Sequence, residues 1–401
     1  MRSAARGITI ALALALAACG GTSTTGGGTA TSYQGKTIQL GAILSLTGAG
    51  GVYGPSSKNG ADLAVEIINN SGGVNGAKIS LDTKDDASDK AQSAQVAQTL
   101  IQGGQLLALL GPTLSNSAVA VHPLAESFKI PILAVSTTGI NIVPNCNAPS
   151  TVPCRYVCRD SLGEETAIPT NIKIYVAKAH PTTGVLMVAN DDKFSSDGGK
   201  IVQNTVGQYG INLVDTVAFS KTTADFSAPV TKALAKKPDV MFITSLGGIP
   251  ATIMIEARKQ GFTGQFLGGN GFNTAKVSKQ AGSAGAGAES GSAWYLDNTF
   301  PSNAEFVKAY RTKYSSDPDQ FAAQGYAAIL ILADAAKRAN LTFSDIAGDR
   351  SKLRDAMETV NIQTPLGPFQ FTSTHDVRQT VWVILMDGKG GFNLLASVNP
   401  S

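Results

Sequence analysis

Residues 38–76, IQLGAILSLTGAGGVYGPSSKNGADLAVEIINNSGGVNG, constrain the fold more than any other stretch of the chain. The apolar run Ile38 to Leu46 reads as a strand buried on both faces, as in a parallel sheet. In the loop Thr47 to Gly54, glycines at 48, 50, 51 and 54 let the backbone approach a bound molecule, and Tyr53 offers an aromatic face to cover it. Pro55 suits a first helical turn, and Ala61, Ala64, Val65 and Ile68 then form an apolar stripe at helical spacing. The cluster Asn69 to Gly73 stops the helix. A strand, a glycine-rich loop and a helix in that order place a ligand outside the carboxyl end of the strand.

The same alternation continues along the chain. Strands are expected at Lys78 to Asp86, Leu106 to Leu110 and Ile130 to Val135, with helices at Ala87 to Gln102 and Ala118 to Phe128. Helices at Thr166 to Ala179, Gly199 to Tyr209 and Pro250 to Gln260 alternate with strands at Thr183 to Asn190, Asn212 to Phe219 and Pro238 to Ile243. Such spacing implies parallel sheets built from right-handed βαβ units. A chain of 401 residues exceeds one ordinary core, so two domains are expected. The formal charge of +3 gives no reason to expect a nucleic-acid partner.

Residues 1–19 read as a targeting segment, with Arg2 and Arg6 before an apolar run from Ile8 to Ala18. A Gly, Ser and Thr tether follows, over residues 20–36. Of the remaining cysteines, Cys146 and Cys154 are the favoured disulfide because they close a Pro-rich loop, which leaves Cys158 over. His122, His180 and His375 are not spaced with the cysteines as metal ligands, and they read as surface or satisfied loop residues.

SLTG, YGPSSKNGADLAVEIIN and GGVNG closely resemble the opening of the substrate-binding proteins of branched-chain-amino-acid-type, Leu/Ile/Val-binding-like ABC transporters, and the resemblance continues along most of the chain. It implies an α/β type I periplasmic-binding fold: two Rossmann-like lobes with parallel sheets, joined by a three-strand hinge. The lobes would be 37–158 plus 292–362, and 159–291 plus 363–401. It also implies an extracytoplasmic receptor that captures a small ligand by hinge closure and hands it to permease subunits as a monomer, with neither a cofactor nor a chemical step. Leu16-Ala17-Ala18-Cys19 resembles a lipobox, so Cys19 would carry a lipid anchor on the outer side of the bacterial cytoplasmic membrane.

By the same resemblance, Leu114-Ser115-Asn116 and Ser136-Thr137-Thr138 hold the ligand's carboxylate and part of its ammonium, and hydroxyls beside a helix N-terminus suit that task. Tyr53, Phe194, Leu246, Gly247 and Asn270 complete the expected binding set. Asn270 stands where amino-acid-binding members often carry an acid, and a neutral amide supplies no charge to an ammonium. A less polar carboxylate or small amide is therefore the expected ligand. Phe321 reads as core, Asp85 and Asp86 as a solvated pair, and GSAGAGAESG (282–291) as a mobile surface loop. A receptor that signals without transport is a second reading. An α/β enzyme is a third, disfavoured by the lack of a G-x-S-x-G elbow and of G-x-G-x-x-G spacing.

Overall fold

The computed structural model describes residues 31–143 and 154–400. Cys19, Cys146 and the leader lie outside them. β1 (Thr37–Leu44) leads through a short 3-10 turn into α1 (Gly54–Asn70), and β2 (Lys78–Asp85) returns parallel to β1 from Thr37/Lys78 to Leu44/Asp85. Then come α2 (Lys90–Gln102), β3 (Ala108–Leu110), α3 (Ser115–Ser127), β4 (Ile132–Ala134) and β5 (Val157–Arg159). These five strands make one wholly parallel sheet in the order β2-β1-β3-β4-β5.

The chain then builds the second lobe from α4 (Glu164–Ala179), β6 (Thr183–Ala189), α5 (Lys193–Val206), β7 (Asn212–Phe219), α6 (Ser227–Leu234) and β8 (Val240–Thr244). It continues with α7 (Ile249–Lys259), β9 (Gln265–Gly268), α8 (Ala275–Ala281) and β10 (Glu289–Ser292). The chain crosses back through α9 (Pro301–Tyr314), α10 (Gln320–Arg338) and α11 (Ile346–Met357), which cover the first sheet. After a hairpin of β11 (Ile362–Thr364) and β12 (Gly367–Phe369), β13 (Val381–Met386) and β14 (Phe392–Val398) join the second sheet.

That sheet runs β14-β13-β10-β9-β8-β6-β7. Its β13 is antiparallel to both β10 and β14, so the sheet is mixed where the alternating pattern had implied a parallel one. The glycine-rich 282–291 segment also departs from expectation, because Glu289 to Ser292 form a fully buried strand between β9 and β13. Small side chains suit this position: a Cβ on Gly291 would lie 2.7 Å from the Ala167 carbonyl of α4.

Two polar residues are buried against expectation. Asp86 is not solvated; its carboxylate accepts from Ser45 Oγ (2.6 Å), Ser93 Oγ (2.8 Å) and Ser117 Oγ (2.9 Å), tying the ends of β1, α2 and α3 together. His122 is interior to α3, where burial lowers its pKa to about 4 and keeps the ring neutral at physiological pH. Cys154 is disulfide-bonded, and Cys158 is a free, buried thiol.

The first lobe's core depends on a close crossing of α1 and α10. A Cβ on Gly60 would stand 1.9 Å from the Ala322 carbonyl oxygen, and one on Gly325 2.0 Å from that of Ser57. Both obstacles are backbone, so no rotamer change relieves them. Gly60→Ala and Gly325→Ala should each therefore destabilise by about 1–3 kcal/mol, measurable by urea denaturation. Gly207→Ala, where the added Cβ meets nothing within 4 Å, is the control and should be near neutral.

Candidate ligand cleft

The loops that leave the carboxyl ends of β1, β3 and β4 face those that leave β8 and β9. From the first lobe come Tyr53, Thr113 to Asn116 and Ser136 to Thr138; from the second come Leu246 to Gly248 and Asn270. Phe194 lies in the first turn of α5, whose N-cap is Asp192, and Phe321 in the first turn of α10, whose N-cap is Asp319. Ser136 bends the chain sharply after β4 with φ +65°, and its hydroxyl donates to the Thr113 carbonyl at 2.7 Å.

Seven of the expected residues, Tyr53, Leu114, Ser115, Ser136, Phe194, Leu246 and Asn270, together with Thr113 and Phe321, line a narrow cavity whose free volume in this closed form is about 10 Å³, so a ligand has room only once the lobes part. Phe321 is thus a wall of the site rather than plain core, its ring 4.8 Å from that of Tyr53. The apolar walls suit a ligand with an aliphatic or aromatic body. Leu114 caps α3 without a side-chain hydrogen bond, which leaves the positive end of that helix open to an anion at Thr113 to Ser115.

The other expected residues stand beside the cavity. Thr137 makes a long hydrogen bond to the Pro112 carbonyl (3.5 Å), and Thr138 Oγ1 donates to Glu164 Oε1 at 3.4 Å. Asn116 reaches across to the second lobe, donating to Asp192 Oδ2 at 2.7 Å and accepting from the Lys193 N–H at 2.9 Å. The Gly247 N–H donates to the Tyr53 phenol oxygen (3.0 Å), which itself donates to the Gly271 carbonyl (3.1 Å). Asn270 Nδ2 donates to the Ser136 carbonyl at 3.3 Å, and its Oδ1 accepts from Gln320 Nε2. The lobes are therefore closed on one another, joined through residues that line the cavity and others beside it.

Glu164, absent from the expected set, is fully buried at the start of α4. Its Oε1 accepts from the Asn270 N–H at 2.7 Å and from Thr138, while Oε2 has no partner. Burial raises this carboxyl to about 7; neighbouring Glu165 adds to the rise, while the two hydrogen bonds and Arg159 oppose it. The second lobe thus does hold a carboxylate next to Asn270, contributed by another element. Its sequence gave little warning, since an acid at a helix N-terminus ordinarily only offsets the helix dipole.

The chain matches the family described as Periplasmic binding protein over residues 37–391. It belongs to the periplasmic binding protein family. Among the relatives of this periplasmic binding protein, a leucine-, isoleucine-, valine-, threonine- and alanine-binding protein of Pseudomonas aeruginosa is 23% identical, over 86% of this chain and 89% of its own. The crystal structure of a leucine-binding protein from Thermotoga maritima superposes with a TM-score of 0.80 at 25% identity, over 90% of this chain and 99% of its own. A solute-binding protein of R. palustris in complex with benzoate gives 0.81 at 22% identity, over 91% and 97%.

Tyr53 is the cross-cleft contact whose loss should matter most, since Tyr53→Phe leaves a buried N–H and a buried carbonyl unpaired in the closed form alone. That costs closure about 1–3 kcal/mol. The ligand-free variant should show a larger radius of gyration by solution scattering than the parent protein, with an unchanged melting temperature for each lobe's core.

Proposed function

We propose that this periplasmic binding protein is the extracytoplasmic receptor of an ABC importer, and that its ligand is a small α-amino acid with an apolar side chain. The observation that carries the ligand class is the Glu164 carboxylate, buried between the Thr138 hydroxyl and the Asn270 amide with one oxygen unpartnered. A buried carboxylate is costly unless a cation meets it, and an ammonium of the ligand at Oε2 would do so. The hydroxyls of Thr113 and Ser115 beside the start of α3, and that of Ser136 on leaving the Thr113 carbonyl, would take the ligand's carboxylate. Tyr53, Leu114, Phe194, Leu246 and Phe321 would enclose its side chain. Binding contacts from both lobes favour the closed form, which is delivered to permease subunits by a monomer anchored through a lipid on Cys19. The receptor performs no chemical step.

A second reading has an observation of its own. Every side chain that lines the cavity is uncharged and three are aromatic, which fits an aromatic or aliphatic carboxylate without an amine, with Glu164 then protonated.

The two readings differ in the sign of their pH dependence. The Glu164 carboxyl, normally near 4.5, is raised to about 7 in the ligand-free protein, so its protonated form stabilises the fold at low pH and that contribution is lost as pH rises through 7. An ammonium at Oε2 favours the ionised form, so binding expels the proton and affinity climbs between pH 6 and 8. A ligand without an amine keeps the proton, and its affinity falls over the same range. Thermal-shift titrations with leucine, 4-methylpentanoate and benzoate at both pH values decide this. Leucine should raise the midpoint strongly, and more so at the higher pH. A shift from benzoate or 4-methylpentanoate alone, weakening at the higher pH, would establish the second reading, and silence from all three would defeat both.

A further inference from the structure

Arg159, the last residue of β5, is the most deeply buried cation among the described residues, with its side chain 1% exposed. Its guanidinium donors are fully used. Nε and Nη2 bind Asp376 as a fork at 2.7 and 2.6 Å, and Nη2 also meets Glu165 Oε1 at 2.5 Å. Nη1 reaches the carbonyls of Thr137 at 3.5 Å and Gly139 at 3.3 Å. Burial opposes the charge, but the two carboxylates override it and hold the group more firmly protonated than a free guanidinium.

Four separate pieces of chain converge here. Arg159 ends the first lobe's edge strand, Thr137 and Gly139 belong to the loop after β4, Glu165 opens α4, and Asp376 lies in the third crossing between β12 and β13. The Arg159 N–H also donates to the His375 carbonyl in that crossing, at 3.2 Å. Gly163 leaves room for the arrangement, since a Cβ there would lie 2.5 Å from both Arg159 Nη2 and Glu165 Oε1.

The arrangement brackets two residues on the rim of the cleft. Thr137 and Gly139 flank Thr138, and Glu165 adjoins Glu164, so one guanidinium holds two backbone carbonyls on one side of the Thr138–Glu164 contact and the Glu165 side chain on the other. We infer that Arg159 is the positioning residue of the ligand site: it sets the Thr138 loop against Glu164. The same cation is close enough to oppose, in small part, the burial that raises that carboxyl. Asp376 ties the same group to the hinge, so movement of the third crossing is felt at the cleft. The consequence for ligand affinity rests on the amino-acid reading above, whereas the effect on Glu164 does not.

The charged and titratable groups that face Glu164 are Arg159 at the end of β5, Glu165 beside it on α4, and the Tyr53 phenol across the cleft; its neutral neighbours include Thr138, Asn270 and Gly269, where a Cβ would lie 2.1 Å from Oε2. Removing the positive neighbour must make Glu164 harder to ionise, and removing the negative one easier. Arg159→Met leaves the Asp376 and Glu165 side chains, 22% and 42% exposed, within reach of water, but leaves the buried Thr137 and Gly139 carbonyls unpaired, so Glu165→Gln carries the test if that variant does not fold. Glu165→Gln, at a half-exposed site, leaves the fold intact in any case.

The test follows the Glu164 carboxyl carbon by 13C NMR over a pH titration of the ligand-free protein, with Glu164→Gln identifying its signal. The midpoint should move up in Arg159→Met and down in Glu165→Gln. A midpoint that stays in place in both variants, or that moves the same way in both, would overturn the inference. In the same preparations, leucine should bind Arg159→Met about fivefold more weakly at pH 7, because a one-unit rise of a midpoint near 7 cuts the ionised fraction there from a half to about a tenth, with recovery above pH 8. Loss of leucine affinity that is equal at all pH values would reduce Arg159 to a structural role. Should the parent protein itself ignore leucine, the ligand reading fails, and the two titrations still decide the role of Arg159.

Discussion

The closed structure depends on backbone groups at the strand ends that neither lobe can satisfy by itself. The Gly247 N–H and the Gly271 carbonyl of the second lobe both find their partner in Tyr53 of the first, and the Ser136 carbonyl of the first finds its partner in Asn270 of the second. In an open cleft water would serve each of these groups nearly as well. Closure therefore exchanges hydrogen bonds rather than adding many, and the two forms can lie close in free energy. A ligand shifts such a balance only by its preference for one form, and the cleft offers it walls drawn from both lobes.

For that exchange to act as a switch, each lobe must move as a body. The first lobe is stiffened by the backbone contact of Gly60 and Gly325, where α1 and α10 approach too closely for any side chain. It is also pinned from within by Asp86, whose carboxylate gathers Ser45, Ser93 and Ser117 from three successive strand-to-helix connections. These are the connections that carry Tyr53 and Ser115. A buried carboxylate held by three hydroxyls thus keeps two of the cleft-lining loops in register, which is how a residue readable as a solvated charge comes to act on the cleft at a distance.

What the sequence made legible follows from how local its signals are. The loops at 47–54, 114–116 and 136–138 announced themselves because hydroxyls and glycines directly follow apolar runs, and the structure does place them at the mouth of the cleft. Phe321 was hidden because it belongs to the same apolar stripe of α10 as residues that face the core, and periodicity cannot tell the helix's first turn, which reaches the cleft, from its later ones. Glu164 was hidden because its importance comes from Asn270, 106 positions away. The β10 strand was hidden for lack of side chains: Gly and Ser carry almost no strand preference, and only the pairing with β9 and β13 fixes them.

The crossings between lobes are irregular chain, so their polar groups cannot be satisfied by a ladder, and buried side chains must do it instead. Gln320 serves the second crossing in this way. Its Oε1 accepts from Ser292 Oγ (2.7 Å), the Ala293 N–H (2.8 Å) and Asn273 Nδ2 (3.1 Å), while its Nε2 donates to Asn270 in the cleft. Arg159 does the same at the third crossing, with carboxylates and carbonyls as partners. Hydrogen bonds of this kind can be lent to water and recovered as the crossings bend, whereas an apolar wedge in the same place would lose packing that water cannot replace. The chemistry of the hinge and the chemistry of the cleft are therefore one network, and a change at either end must be felt at the other.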